Sequence, residues 1–363
     1  MSIKGAVNNI SWGAADTLFR VISSIIVGLM IAAHLGPESY GVLVLFMSIM
    51  GLYNTFTSFG MDQVLLKEWS LKDEENAYLF GSSLLIRSVL SSVLLIPFLI
   101  FLYNSFNKTD LFLISLIVLF AQLPLAVTVI RNLFISKYLG DIPAKASITS
   151  LFIGAILKIC AVLFNSKVEV FLLILAFESL ALCLIYLWFY KRQQFTSTIS
   201  FRLQIVHKIL VESWPLFLSS LLFVSTLHVD KIIIWSILEN EKEFGIYGFS
   251  SRIYSIFHLL PGLILSSSMP LLVRSSQKNG PNWLLRCCLA LIGLAILGVL
   301  LFLLYGEQIL LLFVGGEFID ASSIIAILLI NNIFISIISC WSYHNVIVKK
   351  STDTLILNFL VAA

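Results

Sequence analysis

Residues 168–190 read VEVFLLILAFESLALCLIYLWFY, a run in which Glu169 and Glu178 are the only charged side chains. As a helix rising about 1.5 Å per residue it is about 34 Å long. That is enough to cross a hydrocarbon core of about 30 Å. A barrel strand would instead alternate polar and apolar residues over about ten positions, and this run does not alternate.

Runs of the same kind recur along the whole chain, at 12–34, 40–59, 78–103, 111–135, 144–164, 211–237, 244–272, 283–304 and 322–347. With 168–190 they make ten expected transmembrane helices. The composition agrees. Only 12% of the 363 residues are charged and 59% are hydrophobic, with a mean hydropathy of +1.00. A soluble domain carries about 25% charged residues, so a water-soluble fold of this size is excluded. A formal net charge of +3 predicts no nucleic-acid partner.

Lysine and arginine assign a side to each connection. With the N-terminus in the cytoplasm, the inner connections hold Lys67, Lys72, Arg131, Lys137, Lys145, Arg274, Lys278, Arg286, Lys349 and Lys350, together with the basic stretch from Lys191 to Lys208. The outer side holds Lys108, Lys158, Lys167 and Lys242. The longest basic connection falls between the sixth and seventh helices and divides the chain. Residues 1–190 are expected to form an N-terminal six-helix bundle, 191–210 a cytoplasmic linker and 211–363 a C-terminal bundle. A weak internal repeat supports two related halves: Leu35-Gly36-Pro37-Glu38-Ser39-Tyr40-Gly41 and Leu238–Gly245 both read as an acidic turn, an aromatic and a glycine. After Lys350 the apolar tail is about nine residues, too short to span. It reads as an eleventh helix cut short, and the C-terminal bundle as incomplete.

The five cysteines, Cys160, Cys183, Cys287, Cys288 and Cys340, lie in apolar runs without metal-ligand spacing, and are expected to be packing residues. No phosphate loop, HExxH helix or GxSxG elbow is present. An enzyme is therefore not expected, nor a metal or cofactor.

Ionisable side chains at bilayer depth are functional candidates. Arg20 lies in the first helix one turn after Asp16, Arg87 in the third and Arg252 in the eighth. A guanidinium suits a diphosphate because its fork donates paired hydrogen bonds and stays charged. The same residues also have plainer readings: a self-neutralising Asp16–Arg20 pair, and an Arg87 that snorkels to the inner surface. Asp230-Lys231 lies in the seventh helix, with only one of the two expected to face a cavity. Glu178 has no partner evident in the sequence; it reads either as a coupling carboxyl or as a neutral acid at a helix contact. Asp16, Glu178 and Asp230 are the candidates for coupling to an ion gradient. Pro97, Pro124, Pro215, Pro261 and Pro270 are expected to kink helices.

Several of these stretches resemble the polysaccharide-transporter branch, the Wzx-type O-antigen flippases, of the multidrug/oligosaccharidyl-lipid/polysaccharide exporter superfamily. His34-Leu35-Gly36-Pro37-Glu38-Ser39-Tyr40-Gly41 is similar to that family's "yLGpeqYG" corner, and Phe59–Glu68 to its "lGldxxlvrE" segment. Ser213-Trp214-Pro215-Leu216, Val229-Asp230-Lys231-Ile232, Phe244-Gly245-Ile246-Tyr247 and Phe313-Val314-Gly315-Gly316-Glu317-Phe318 continue the likeness in order.

The resemblance implies an all-α polytopic membrane protein with two pseudo-symmetric helical bundles around a cationic cavity, here with ten full transmembrane helices and a truncated eleventh. It implies a multi-pass protein of the bacterial inner membrane that flips an undecaprenyl-diphosphate-linked O-antigen or related polysaccharide unit from the cytoplasmic to the periplasmic leaflet. Arg20, Arg252, Arg87 and Lys231 would then be substrate-binding. Membrane lipids and other polysaccharide-assembly membrane proteins are the partners to expect. The rival of the same fold is a cation-coupled drug antiporter, for which acidic cavity residues are expected.

Overall fold

The computed structural model describes residues 3–71, 76–106, 111–193, 200–238, 240–279 and 282–348. Among them there is no strand. In order the helices are α1 (Ile3–Ser58), α2 (Met61–Leu71), α3 (Asn76–Phe106), α4 (Leu111–Phe120), α5 (Val129–Ser136), α6 (Asp141–Leu163), α7 (Val168–Arg192), α8 (Leu203–Ile237), α9 (Glu241–Asn279), α10 (Asn282–Phe313) and α11 (Ala321–Val348). Short 3-10 turns occupy Leu123–Thr128 and Gly316–Phe318.

Helices are what a bilayer demands, because lipid offers no hydrogen-bond partner to an open backbone. Eight stretches among the described residues are long and apolar enough to span, from Asn8–Ser58 to Ala321–Trp341. The protein is a multi-pass membrane protein. Large apolar side chains such as Ile96, Leu113, Leu184 and Leu304 stay exposed on the helix surfaces, where lipid is the natural neighbour.

The structure departs from the sequence reading at two places, a short helix after residue 60 and an interruption of 111–135. The expected break between helices 12–34 and 40–59 is present as a kink at Gly36, where two helices within the α1 stretch meet. Gly36 has φ 69 and ψ 170, a left-handed conformation that a Cβ disfavours, and Pro37 restarts the helix from a position that needs no donor. The reading missed α2, which follows a turn at Phe59-Gly60 with φ 46 and 66. At 11 residues it is too short to span. The expected helix 111–135 is broken by the 3-10 turn at Leu123-Pro124, since proline cannot donate to the preceding turn. Pro97 and Pro215 do lie inside helices, α3 and α8. The proposed eleventh helix lies outside the described residues.

The chain folds as two compact units. One comprises Met1–His34 and Phe46–Val229, the other Leu35–Leu45 and Asp230–Ala363. The core of the first is a buried cluster including Met61, Trp69, Phe80, Phe134 and Tyr186 from α2, α3, α5 and α7. Its charged rim ties α2 to the start of α8: Lys208 Nζ donates to Glu68 Oε2 at 2.6 Å, and Lys67 lies 3.5 Å from Glu212.

In the second unit, three of the motifs that carried the family resemblance meet. The Tyr40 ring packs edge-on against Phe249 and Phe318, with centroids 6.0 and 6.2 Å away. Gly41 and Gly245 let two helix backbones touch: a Cβ on Gly41 would sit 3.1 Å from Gly245 Cα. A Cβ on Gly36 would sit 2.8 Å from Glu317 Oε2. These motifs build a packing junction.

Candidate functional site

A cavity of about 650 Å³ opens inside the first unit. Its wall is unusually polar for the interior of a membrane bundle. Arg20, Asp62, Arg87, Glu178 and His228 line it, with Gln122, Asn54 and several serines and threonines between them. Such groups are costly in lipid and are kept where they face water or a ligand.

The charged residues are arranged in pairs, and the pairs are unequal. Arg20, on α1, donates to Ser147 Oγ of α6 at 2.7 Å and lies 3.5 Å from Asp16. The Arg20 side chain is 55% exposed and that of Asp16 15%, so the cavity meets the base with its acid behind it. The second pair is inverted. Arg87 of α3 donates to Asp62 Oδ1 through Nη2 and to Thr128 Oγ1 through Nη1, the latter at 2.8 Å. Asn132 Nδ2 donates to the same Asp62 oxygen at 2.6 Å. Here the acid is 48% exposed and the base only 7%. In the third pair, Lys158 Nζ reaches both oxygens of Glu178, at 2.7 and 2.9 Å, and both side chains are 13% exposed.

Three expectations change as a result. Glu178 does have a partner, Lys158, one helix back in the chain. Lys158 is a half-buried residue of α6, not part of an outer connection. Arg87 does not snorkel to the surface: it is held inside the bundle by Asp62 and Thr128. Arg20, Arg87 and Glu178 share one cavity, and Asp16 supports Arg20.

The other candidates belong to the second unit. Lys231 Nζ lies 3.3 Å from Asp230 Oδ1, and Asp230 Oδ2 accepts from Tyr247 Oη at 2.6 Å. The two neighbours therefore pair with each other. Arg252 is a half-buried residue of α9. A smaller cavity of about 420 Å³ in this unit is lined by Glu243, Tyr247 and Asp320 among isoleucines. Sequence reasoning missed Asp62, Asn132, Thr128 and Ser147. Asp62 stood inside a quoted motif, directly after the Gly60 turn, but nothing in the sequence showed that Arg87 would meet it.

The Asp62–Arg87 pair sets an asymmetric stability effect. Asp62→Ala strands a buried guanidinium, which costs about 3–5 kcal/mol. Arg87→Met leaves only a half-exposed carboxylate that keeps Asn132, and is expected to cost less than half as much. Thermal unfolding of the two variants in detergent checks the order.

A family model described as "Polysaccharide biosynthesis protein" matches residues 6–276. The chain belongs to that family. The family match covers all of the first unit's cavity and extends into α9. Among solved structures, the chain resembles one described as the inward-facing conformation of a multidrug resistance MATE family transporter of the MOP superfamily, with a TM-score of 0.69 over 97% of this chain and 87% of that one. At 16% identity the likeness establishes the fold. No curated protein matches the chain significantly. The family is thus one of polysaccharide biosynthesis proteins, and the fold is the one seen in that MATE family transporter.

Proposed function

We propose that this family member is a flippase that carries an undecaprenyl-diphosphate-linked O-antigen or related polysaccharide repeat unit from the cytoplasmic to the periplasmic leaflet of the bacterial inner membrane, by alternating access. One observation carries the reading: a polar cavity inside an apolar bundle presents an accessible guanidinium, that of Arg20. A permanent cation in a low-dielectric wall favours an anionic head group, while the lipid tail stays in the bilayer. Arg252 and Lys231 remain candidate substrate-binding residues. Asp16, Glu178 and Asp230 remain the coupling candidates; for Glu178, coupling requires release from Lys158. With the N-terminus cytoplasmic, the basic connection 191–210 lies on the side where the substrate is loaded.

The test is complementation of a strain lacking the gene. Losing a hydrogen bond between charged partners costs about 1.5–3 kcal/mol, so Arg20→Gln should reduce surface glycan about tenfold or more at equal membrane abundance, and Arg20→Lys should restore part of it. Normal surface glycan with Arg20→Gln, or in the deletion strain itself, would overturn the proposal. A second reading, the cation-coupled antiporter, draws support from the exposed carboxylate of Asp62. It requires that the protein lower the accumulation of a cationic dye in cells, and that Asp62→Asn abolish the effect.

A further inference from the structure

The unequal exposure of the cavity's charge pairs points beyond a simple anion site. If the cavity served only a diphosphate, both accessible charges should be basic. Instead it presents one base, Arg20, and one acid, Asp62. Arg87 is spent: its two terminal nitrogens are engaged, and almost none of its side chain reaches the cavity. The group it shows to a ligand is the carboxylate it holds.

That carboxylate is half committed. Oδ1 takes the hydrogen bonds of Arg87 and Asn132, whereas Oδ2 takes none from any described residue. A carboxylate is purely an acceptor with room for about four hydrogen bonds. One whose charge is offset by a guanidinium and whose orientation is fixed by two donors suits hydroxyl donors. The surrounding wall, with Asn54, Gln122 and Ser91, offers further neutral donors and acceptors. The same carboxylate opposes a second carboxylate brought beside it.

Resting on the flippase reading above, we infer that Asp62 is the sugar-binding residue of the cavity: its Oδ2 accepts hydroxyl hydrogens of an uncharged or amino sugar, while Arg20 takes the phosphate end. Arg87 and Asn132 are positioning residues that act through Asp62. The cavity therefore selects repeat units whose sugar at this position is neutral or basic, and rejects those carrying a uronic acid there.

The experiment uses the full chain in lipid nanodiscs and three synthetic polyprenyl diphosphates: without sugar, with N-acetylglucosamine and with glucuronic acid. Wild type is expected to bind the N-acetylglucosamine probe about tenfold or more tighter than the bare diphosphate, and the glucuronic acid probe weakest. Asp62→Asn, which keeps an oxygen for Arg87 but removes the negative charge, should bring the two sugar probes within about threefold of each other by weakening the N-acetylglucosamine probe and strengthening the glucuronic acid probe. Asp62→Glu should restore part of the discrimination. If Asp62→Asn lowers all three alike, or leaves their order as in wild type, the assignment of Asp62 is wrong. An unchanged thermal midpoint for Asp62→Asn separates loss of recognition from loss of fold. If wild type binds none of the probes, or Arg20→Gln binds the bare diphosphate as tightly as wild type does, the flippase reading itself fails and the assignment falls with it.

Discussion

Lys158→Met is expected to lower stability by about 3–5 kcal/mol, because it leaves the Glu178 carboxylate buried without its cation. Both carboxylate oxygens of Glu178 sit on the one amine of Lys158. The pair sits where α6 and α7 pack, and Gly154 makes room for it: a Cβ there would fall on the Glu178 carboxylate. Replacing both partners should cost much less, since Lys158→Met with Glu178→Gln leaves no uncompensated charge. A double-mutant cycle on thermal unfolding in detergent measures the coupling. Equal losses in the single and double variants would mean that the two groups do not depend on each other.

Gly245→Val should be the most damaging change in the second unit. Even the first carbon of a side chain at this position would land on the carbonyl oxygen and carbonyl carbon of Pro37. Neither atom is the free end of a flexible chain, so the helices themselves must separate. A loss of about 3 kcal/mol or more is expected, read as a lower thermal midpoint and a smaller monodisperse fraction after extraction. Gly293→Ala, at a helical glycine whose Cβ would meet nothing within 4 Å, is the matched control and should be neutral or slightly stabilising.

What was legible in the sequence follows from range. Apolar runs announce helices because each run satisfies its own backbone, and α3, α6 and α7 begin and end close to where their runs do, while α10 begins with its run and continues to Phe313. The breaks were harder. Pro124 was seen as a kink but not as a turn that divides a helix in two, and α2 was hidden because its polar face resembles a loop. Charge partners were the least visible. Lys158 meets Glu178 across a helical hairpin, and Asp62 meets Arg87 and Asn132 from three separate helices; no local spacing encodes such contacts. Arg20 and Asp16 were recoverable because their partnership is one turn long. The exposure of each partner, on which the sugar-binding inference rests, exists only once the walls of the cavity are assembled.

Residues 35–45 leave the first unit and return to it, while the rest of their own unit begins at Asp230. During synthesis at about 5–20 residues per second, Tyr40 is made roughly 15–60 s before Phe318, the ring it packs against. Over that interval the corner at Gly36 waits in the membrane beside incomplete neighbours, and a late step of biogenesis is the docking of helices after Asp230 onto a segment inserted near the beginning. Slow assembly, and capture by insertion machinery of chains whose distal helices pack poorly, are built into that order of events.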